Sequence, residues 1–536
     1  MKKTLALLLA VLMMFSILAV PTLAAGDAGS GFTASEKISN TFYRFVDKLV
    51  ILVGKILNAL IPGSDWTGQI RQLKSYTPAH FYSGKDAFDT AAAENAKWSM
   101  GFADASFLTG LDVFDGSYYL TGTLEAFHGR VPTAVLDDQG VNAFALSDGE
   151  TTIVYAAIDG FGFARGDVLE IRSRLEAFAA EHNIASINIS ALHQHSCIDT
   201  LGLGVPLVPA VLKNPAATLF NADKRLSGKN KTFMEALYSA VTASVVEAVE
   251  NMTQGTLYYG AADASEFIHD KREPEVYDHN IERLRFVPDD ETLNEIWICE
   301  AGIHPVSLGA GPTLLTADYP YYIEQYVKEN ANANMVFIQG AELAITSQTD
   351  TLSYNEETDG DNAKLVAMGN AMGRLLLDIT DEEPLQPLLN VALREVAVKV
   401  ENPIHILAGR EGLLSSVFVR DGLGYKVITE LGYIELGGTL GVVLAPGEID
   451  PAILWGGATE KAQSWTGESW DYAPWKEICG ADTLLCFGLC NDQVGYILCD
   501  NDYRSMFTEN EEINAISNNV GSVLTEAFIE LVNDVK

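Results

Sequence analysis

The chain predicts an α/β fold, with a large mixed β-sheet core flanked by helices. Two observations carry this. From about residue 97 onward apolar strand-like runs alternate with segments of helical periodicity, and polar residues recur just past the strand ends. Four such ends hold a potential metal ligand: ISALHQH with His193, ICEAGIHP with His304, VVLAPGE with Glu448 and CNDQVGY with Tyr496. Open α/β sheets gather ligands where strands deliver their carboxyl ends, because loops there diverge around a crevice while the strands stay rigid. A metal site at the C-terminal ends of strands is therefore expected. Two imidazoles, a carboxylate and a phenol suit one zinc ion or a similar borderline cation, and manganese or iron can use the same donors.

The elements follow in order. Lys2 and Lys3 precede an apolar run over 5–20, and Ala24 and Ala25 offer a cleavage site, so residues 1–25 read as a secretory signal peptide. The protein is expected to be secreted or held at the extracellular surface, with a mature chain starting near Ala25 or Gly26. Residues 26–65 hold an amphipathic helix in which Phe42, Phe45, Val46, Leu49, Val50, Val53, Ile56, Leu57 and Leu60 recur at helical spacing, interrupted by Lys48 and Lys55. Its apolar stretches fall short of the roughly 20 residues that span a bilayer. Docking on the main domain and membrane-surface contact through residues 42–60 are the two choices left. Pro62, Gly63 and Ser64 end the helix, and residues 66–96 read as a linker before a catalytic domain over 97–536.

Within that domain an apolar strand over 152–158 leads to a helix that Asp167 opens and whose Val168, Ile171, Leu175 and Phe178 share a face. A strand over 184–192 completes a βαβ unit. Period-two alternation places His193 and His195 on one side, beyond Ile187, Ile189 and Ala191. A second unit runs from a strand over 295–303 through His304-Pro305 and a helix over 319–330 to a strand over 335–339, which enters GAELAITSQT. Pro305 keeps His304 extended. The proline-broken GLGVPLVPAVL run either covers the crevice or packs on the core. Helices over 362–379 and 512–532 form outer layers, and strands near 394, 415, 425, 433, 441 and 484 extend the sheet or add another.

Composition narrows the function. A net charge of −37 excludes a nucleic-acid partner, whose phosphates require clustered Lys and Arg. With 536 residues, 48% of them hydrophobic, core material is ample. The six cysteines lack paired C-x-x-C spacing. Export permits disulfides, but Cys486 and Cys490 in TLLCFGLC read as small buried thiols. His128, His182 and His279 read as structural side chains. His193 and His195 differ, because two rings at the end of one strand require partners for four nitrogens. Glu448 follows the turn Ala445-Pro446-Gly447, which can aim its carboxylate over the strand ends or leave it in an exposed loop.

These residues carry a resemblance. Over 97–536 the chain resembles the catalytic domain of the neutral/alkaline non-lysosomal ceramidase family, as a divergent bacterial-type member. The family's T-H-T-H-S-G stretch is matched by LHQHSC at 192–197. Its H-P-x-S-x segment with a downstream aspartate is matched by HPVSL at 304–308 and Asp318, its glutamate by Glu448 in PGE, and its N-x-Y-x-x-Y segment by NDQVGY at 491–496. The resemblance implies that His193, His304, Glu448 and Tyr496 hold one zinc ion, that His195 handles a proton beside it, and that Arg272 in HDKREP is the arginine that holds substrate or a developing oxyanion. The family's G-D-x-S-P serine aligns with LAITSQ at 343–348, which puts Thr346 in its place with Ser347 beside it and leaves Gly-Asp unmatched. The implied function is a secreted zinc-dependent hydrolase of an amide bond, in N-acyl sphingosine (ceramide) or a related lipid amide, acting through metal-activated water. The alternatives are a metal-dependent esterase or deacetylase on a cell-wall or glycan substrate, and a non-catalytic binding protein of the same fold. The partner expected is a small-molecule or lipid substrate, with no obligate protein partner.

Overall fold

The structure, a computed structural model, describes residues 32–122, 129–309, 313–355, 360–508 and 512–536. Residues 1–25, read as a signal peptide, and His128 lie outside them. The longer helices are Ala34–Leu60 (α1), Arg165–Glu181 (α2), Leu207–Phe220 (α3), Lys231–Glu250 (α4), Asp318–Ala331 (α5), Ala363–Asp378 (α6), Pro403–Arg410 (α7) and Val520–Val535 (α8).

A large sheet contains Trp98–Ser106 (β1), Gly140–Ser147 (β2), Thr152–Ile158 (β3), Ile184–Ala191 (β4), Thr253–Asp263 (β5), Asn280–Pro288 (β6), Glu295–Ala301 (β7) and Ala333–Gln339 (β8). Their order is β8-β7-β6-β5-β1-β2-β3-β4, with the short strand Glu383–Pro384 on β5. The outermost pairs, β7/β8 and β3/β4, run parallel and the pairs between them antiparallel. Each parallel pair is joined by one crossover helix, α5 or α2, which is what a parallel connection requires. The sheet is therefore mixed and helix-flanked, as the sequence predicts.

A second sheet contains Leu389–Val400 (β9), Phe418–Asp421 (β10), Gly424–Leu436 (β11), Leu440–Leu444 (β12) and Thr483–Phe487 (β13), in the order β9-β11-β12-β13 with β10 beside β11. The strands near 394 to 484 thus form a separate layer, and those near 425 and 433 are one strand. Alternation sets the stacking. Phe144 and Leu146 of β2 join Leu393, Ile434 and Val442 of the second sheet in one buried cluster. Val141, Ala143 and Ala145, on the other face of β2, pack with Val168 and Ile171 of α2 and Val241 and Val245 of α4. On the far side Val398, Leu431 and Val443 pack with Leu524 and Phe528 of α8. Four layers result: helices, large sheet, second sheet, helix.

Two differences from the sequence reading have local causes. The helix expected over 512–532 is a single turn, Glu512–Asn514, followed by α8 from Val520. Between them the Ser517 hydroxyl bonds the Asn519 side chain at 2.8 Å, and such short polar side chains compete with helix formation. The proline-broken run after residue 206 is the helix α3, with Pro209 in its first turn, where an N–H has no intrahelical partner to lose.

Residues 488–491, just past β13, join the large sheet's two edges. The Gly488 N–H donates to Gln339 O of β8 at 2.8 Å, and the Asn491 N–H to Ile189 O of β4 at 2.7 Å. A Cβ at Gly488 would lie 2.5 Å from Gly340 O, so this close approach requires glycine. Strand ends distant in the large sheet thereby share one rim with the second sheet.

Candidate metal centre

His193 leaves β4 two residues past its last paired residue. Its φ is +65°, so the alternation that runs through β4 does not continue into it. The turn is held by the His193 N–H on Gly160 O at 2.9 Å and the His195 N–H on Pro305 O at 3.2 Å. Gln194 braces it, accepting from the Gly160 N–H and donating to Asp159 Oδ1 at 2.7 Å. His304 follows β7, and its loop is clamped by Asp318, which accepts from the Ser307 N–H at 3.0 Å and its hydroxyl at 2.6 Å. The downstream aspartate of that motif is thus a brace for the histidine.

The two rings are oriented alike. Backbone carbonyls occupy Nδ1 in each, Phe161 O at 2.6 Å for His193 and Ile345 O at 2.8 Å for His304. Each therefore turns Nε2 toward Glu448, whose Oε2 lies 3.4 Å from His193 Nε2 and 3.2 Å from His304 Nε2. Four donors at tetrahedral bonds of about 2.0 to 2.1 Å lie about 3.3 Å apart, so these separations match the edge of a zinc-sized site. Gln493 Nε2 holds the second carboxylate oxygen, Oε1, at 3.2 Å. Glu448 and Tyr496 are directly paired in the short parallel bridge Glu448–Ile449 with Tyr496–Ile497, which places the tyrosine beside the carboxylate. Its ring packs with Leu343 and Ala344.

His195 completes the cluster. Its ring centre lies 5.0 Å from that of His193 and 5.6 Å from that of His304. The residue is half-buried, but both of its ring nitrogens are buried and neither has a hydrogen-bond partner among the described residues. Buried polar atoms are normally paired, so two orphaned ring nitrogens in an imidazole cluster point to a group that binds there. His193, His195 and His304 offer ligand atoms within 4.8 Å of one another, a group that can hold a metal ion. The donor set fits a divalent cation of the zinc type, with His193, His304 and Glu448 converging and His195 adjacent.

Electrostatics agree. Burial opposes a charged imidazole at His193, but the Glu448 and Glu342 carboxylates outweigh it and push its pKa up to about 9. Burial and the neighbouring His193 and His304 push His195 well down, so it is neutral. Glu448 is held well below the usual carboxylate range, because the two imidazoles overcome the cost of its burial. In the metal-free protein His193 thus keeps its proton up to about pH 9, and a cation must displace it. Metal affinity is expected to rise with pH up to that point and uptake at neutral pH to release a proton. Calorimetric titration in buffers of different ionisation enthalpy reads this directly, and a buffer-independent heat refutes it.

Other residues sit apart from this convergence. The Arg272 guanidinium is buried and ion-paired with Asp502, and its Nη1 lacks a partner among the described residues. Thr346 lies in the short strand Ile345–Ser347, beside His304, with its hydroxyl 3.4 Å from His269 O. His182 lies against Phe178 at a helix end, and His279 against Tyr277. All six cysteines are free and buried. One site residue went unread in the sequence. Glu342, three residues past β8, is fully buried with Oε2 at 3.4 Å from His304 Nδ1, and burial raises its pKa to about 7. The rule that found the others, a polar residue just past a strand, applied to it equally.

A mixed sheet stacked on a second sheet, with imidazoles and carboxylates from several strand ends at one rim, defines an α/β fold that carries a metal-compatible cluster of side chains. Among solved structures it is similar to neutral ceramidase from Pseudomonas aeruginosa, with a TM-score of 0.60 over 82% of this chain and 74% of that one at 12% identity. A structure described as ceramidase complexed with C2 gives a TM-score of 0.58, also at 12% identity, over 82% and 75%. The chain has a ceramidase-like fold. No protein-family model and no curated protein matches it.

Proposed function

We propose that the protein is a zinc-dependent hydrolase of an amide bond in a lipid, N-acyl sphingosine or a related amide. The observation that carries this is the convergence of His193 and His304 Nε2 on one oxygen of Glu448, with the unpartnered His195 ring beside them, in a ceramidase-like fold. His193, His304 and Glu448, with Tyr496 alongside, would hold the ion, which supplies Lewis acidity toward a carbonyl and a water. The chain does the rest. His195, kept neutral by burial and by its imidazole neighbours, accepts a proton at a free ring nitrogen and returns it to the leaving amine. Arg272, which pairs with Asp502 apart from the rings and has an Nη1 with no partner among the described residues, is the candidate to hold substrate. Thr346 lines the rim beside His304. Exported from the cell, such an enzyme would meet lipid amides outside it.

Elemental analysis of the purified protein, followed by product assays on N-acyl sphingosine and on acetylated sugars at neutral pH, tests the proposal. One zinc per chain and release of sphingosine are expected, whereas release of acetate alone assigns the site to deacetylation. His195→Ala is expected to keep the metal and lose about a hundredfold or more in kcat, the usual contribution of a positioned proton carrier. Loss of metal from that variant makes His195 a ligand instead.

A further inference from the structure

We propose that α1 docks the protein on the surface of an anionic lipid bilayer. One face of α1 is spoken for. Val46 and Val50 pack on Met506 and Phe507, Asp47 accepts from the Ser505 hydroxyl at 2.8 Å, and Gly54 abuts Pro403 of α7. Arg410 pins the helix end through Ile61 O at 2.9 Å and an ion pair with Asp65 at 2.7 Å. Among the described residues nothing covers the opposite face. Phe42, Phe45, Leu49, Leu52, Ile56 and Leu60 form a continuous stripe, with Phe45 exposed by 63%, Leu52 by 55% and Leu60 by 70%. A contiguous apolar stripe of this size is uncommon on a surface that meets only water.

Charge selects the occupant. The chain carries −37, yet the exposed residues of α1 include Lys37, Lys48 and Lys55 and no Asp or Glu. Glu36, off the stripe, is tied to Thr33 in a capping box, and Asp47 is buried. The sequences of α3 and α7 also lack carboxylates; α7 touches both α1 and α3, and α3 adds exposed Leu212, Lys213 and Phe220. A second copy paired through this stripe would set lysines against apolar or basic neighbours, with no acid to answer them. An apolar stripe edged by lysines matches a membrane interface, where acyl chains take the apolar side chains and anionic headgroups the ammonium groups. Among the described residues no helix is long and apolar enough to cross a membrane, so α1 would lie along the surface. With a Debye length of about 8 Å at physiological ionic strength, the face presented to lipid governs the encounter more than the net charge.

Lipid binding by this face is separable from whatever bond the metal centre cleaves, and vesicle flotation reads it without any turnover. The purified protein is expected to float with vesicles of phosphatidylcholine and phosphatidylglycerol in equal parts, and less with phosphatidylcholine alone. Replacing Phe45, Leu49 and Leu52 together by serine is expected to lower partitioning at least about tenfold. Lys48→Glu with Lys55→Glu is expected to do the same for the mixed vesicles only. Metal content and the unfolding midpoint should stay at wild-type values in both variants, which shows that they fold. Absence of flotation, equal binding to both vesicles or unchanged partitioning of the serine variant overturns the proposal. So does a solution dimer that the serine variant dissociates, which assigns the stripe to a second copy.

Discussion

His193→Ala and Glu448→Ala are each expected to lower metal affinity by more than about a hundredfold and to abolish hydrolysis with it, since changes in groups that merely orient metal ligands already cost about 10 to 100-fold. The geometry gives the reason for expecting this. Glu448 Oε2 is the point both histidine Nε2 atoms address, at 3.4 and 3.2 Å. Removing it takes away a charge and the common target of the two rings. Removing His193 leaves a carboxylate facing one imidazole, and opens the space its ring fills against Phe161, whose centre lies 4.4 Å away. Glu448→Gln separates the parts of the effect, because it keeps the side chain's size while discarding its charge. Metal loss from a chain that still folds is the expected result for that variant, with elemental analysis and circular dichroism as the readouts. Full zinc occupancy in both alanine variants, measured by elemental analysis, would sink the metal assignment.

Glu430→Gln is expected to destabilise the fold by about 3 to 5 kcal/mol, the cost of leaving buried charges without their counter-ion. Glu430 of β11 accepts two hydrogen bonds from Arg172, at 3.0 and 2.8 Å, and pairs with Arg165, all three side chains being completely buried. Both arginines belong to α2, so one carboxylate ties the helix of the first layer to the second sheet. Arg165 also reaches Glu395 of β9 at 2.9 Å, an acceptor that survives the substitution but cannot serve Arg172 as well. Burial alone would raise the Glu430 pKa; the two guanidinium groups overcome it and hold the carboxyl below the usual range. The native state therefore binds a proton less readily than the unfolded chain. The stabilisation is complete above about pH 4.3, the unfolded value for glutamate, and is lost as pH falls through the native value. Chemical unfolding from pH 7 down to 3 should show this slope in the wild type and a flatter one in Glu430→Gln. Equal slopes would show that Glu430 is not the group responsible.

Much of this was legible beforehand where local signals and tertiary structure agree. The unit β3-α2-β4 was readable because its helical stripe and its flanking apolar runs are bounded by polar breaks. His193, His304 and Glu448 were readable as a set because each follows a strand. What stayed hidden depends on contacts between distant segments. No periodicity announces the left-handed turn at His193, which the chain adopts to place its N–H on Gly160 O. Glu342 also follows a strand, but nothing in GAEL distinguishes a carboxylate buried against His304 from an exposed one. Which side of α1 docks was also unreadable, since Val46 and Val50 differ from Phe45 and Leu49 only in what lies opposite them. The second sheet could not be told from an extension of the first, because alternation fixes faces and not neighbours.

The bridge at residues 488–491 bears on how the chain avoids sticking to itself. Strand margins with vacant amide and carbonyl groups recruit foreign strands, and β4 and β8 are the two such margins of the large sheet. The Gly488 and Asn491 N–H groups each fill one such vacancy, on β8 and β4, near the strand ends that carry the site. That protection arrives from a stretch synthesised some 150 residues after β8, so during synthesis both borders stand unguarded until the last portion emerges. A nascent or truncated polypeptide ending before residue 483 would thus expose adhesive borders at the very place where the finished molecule gathers its histidines.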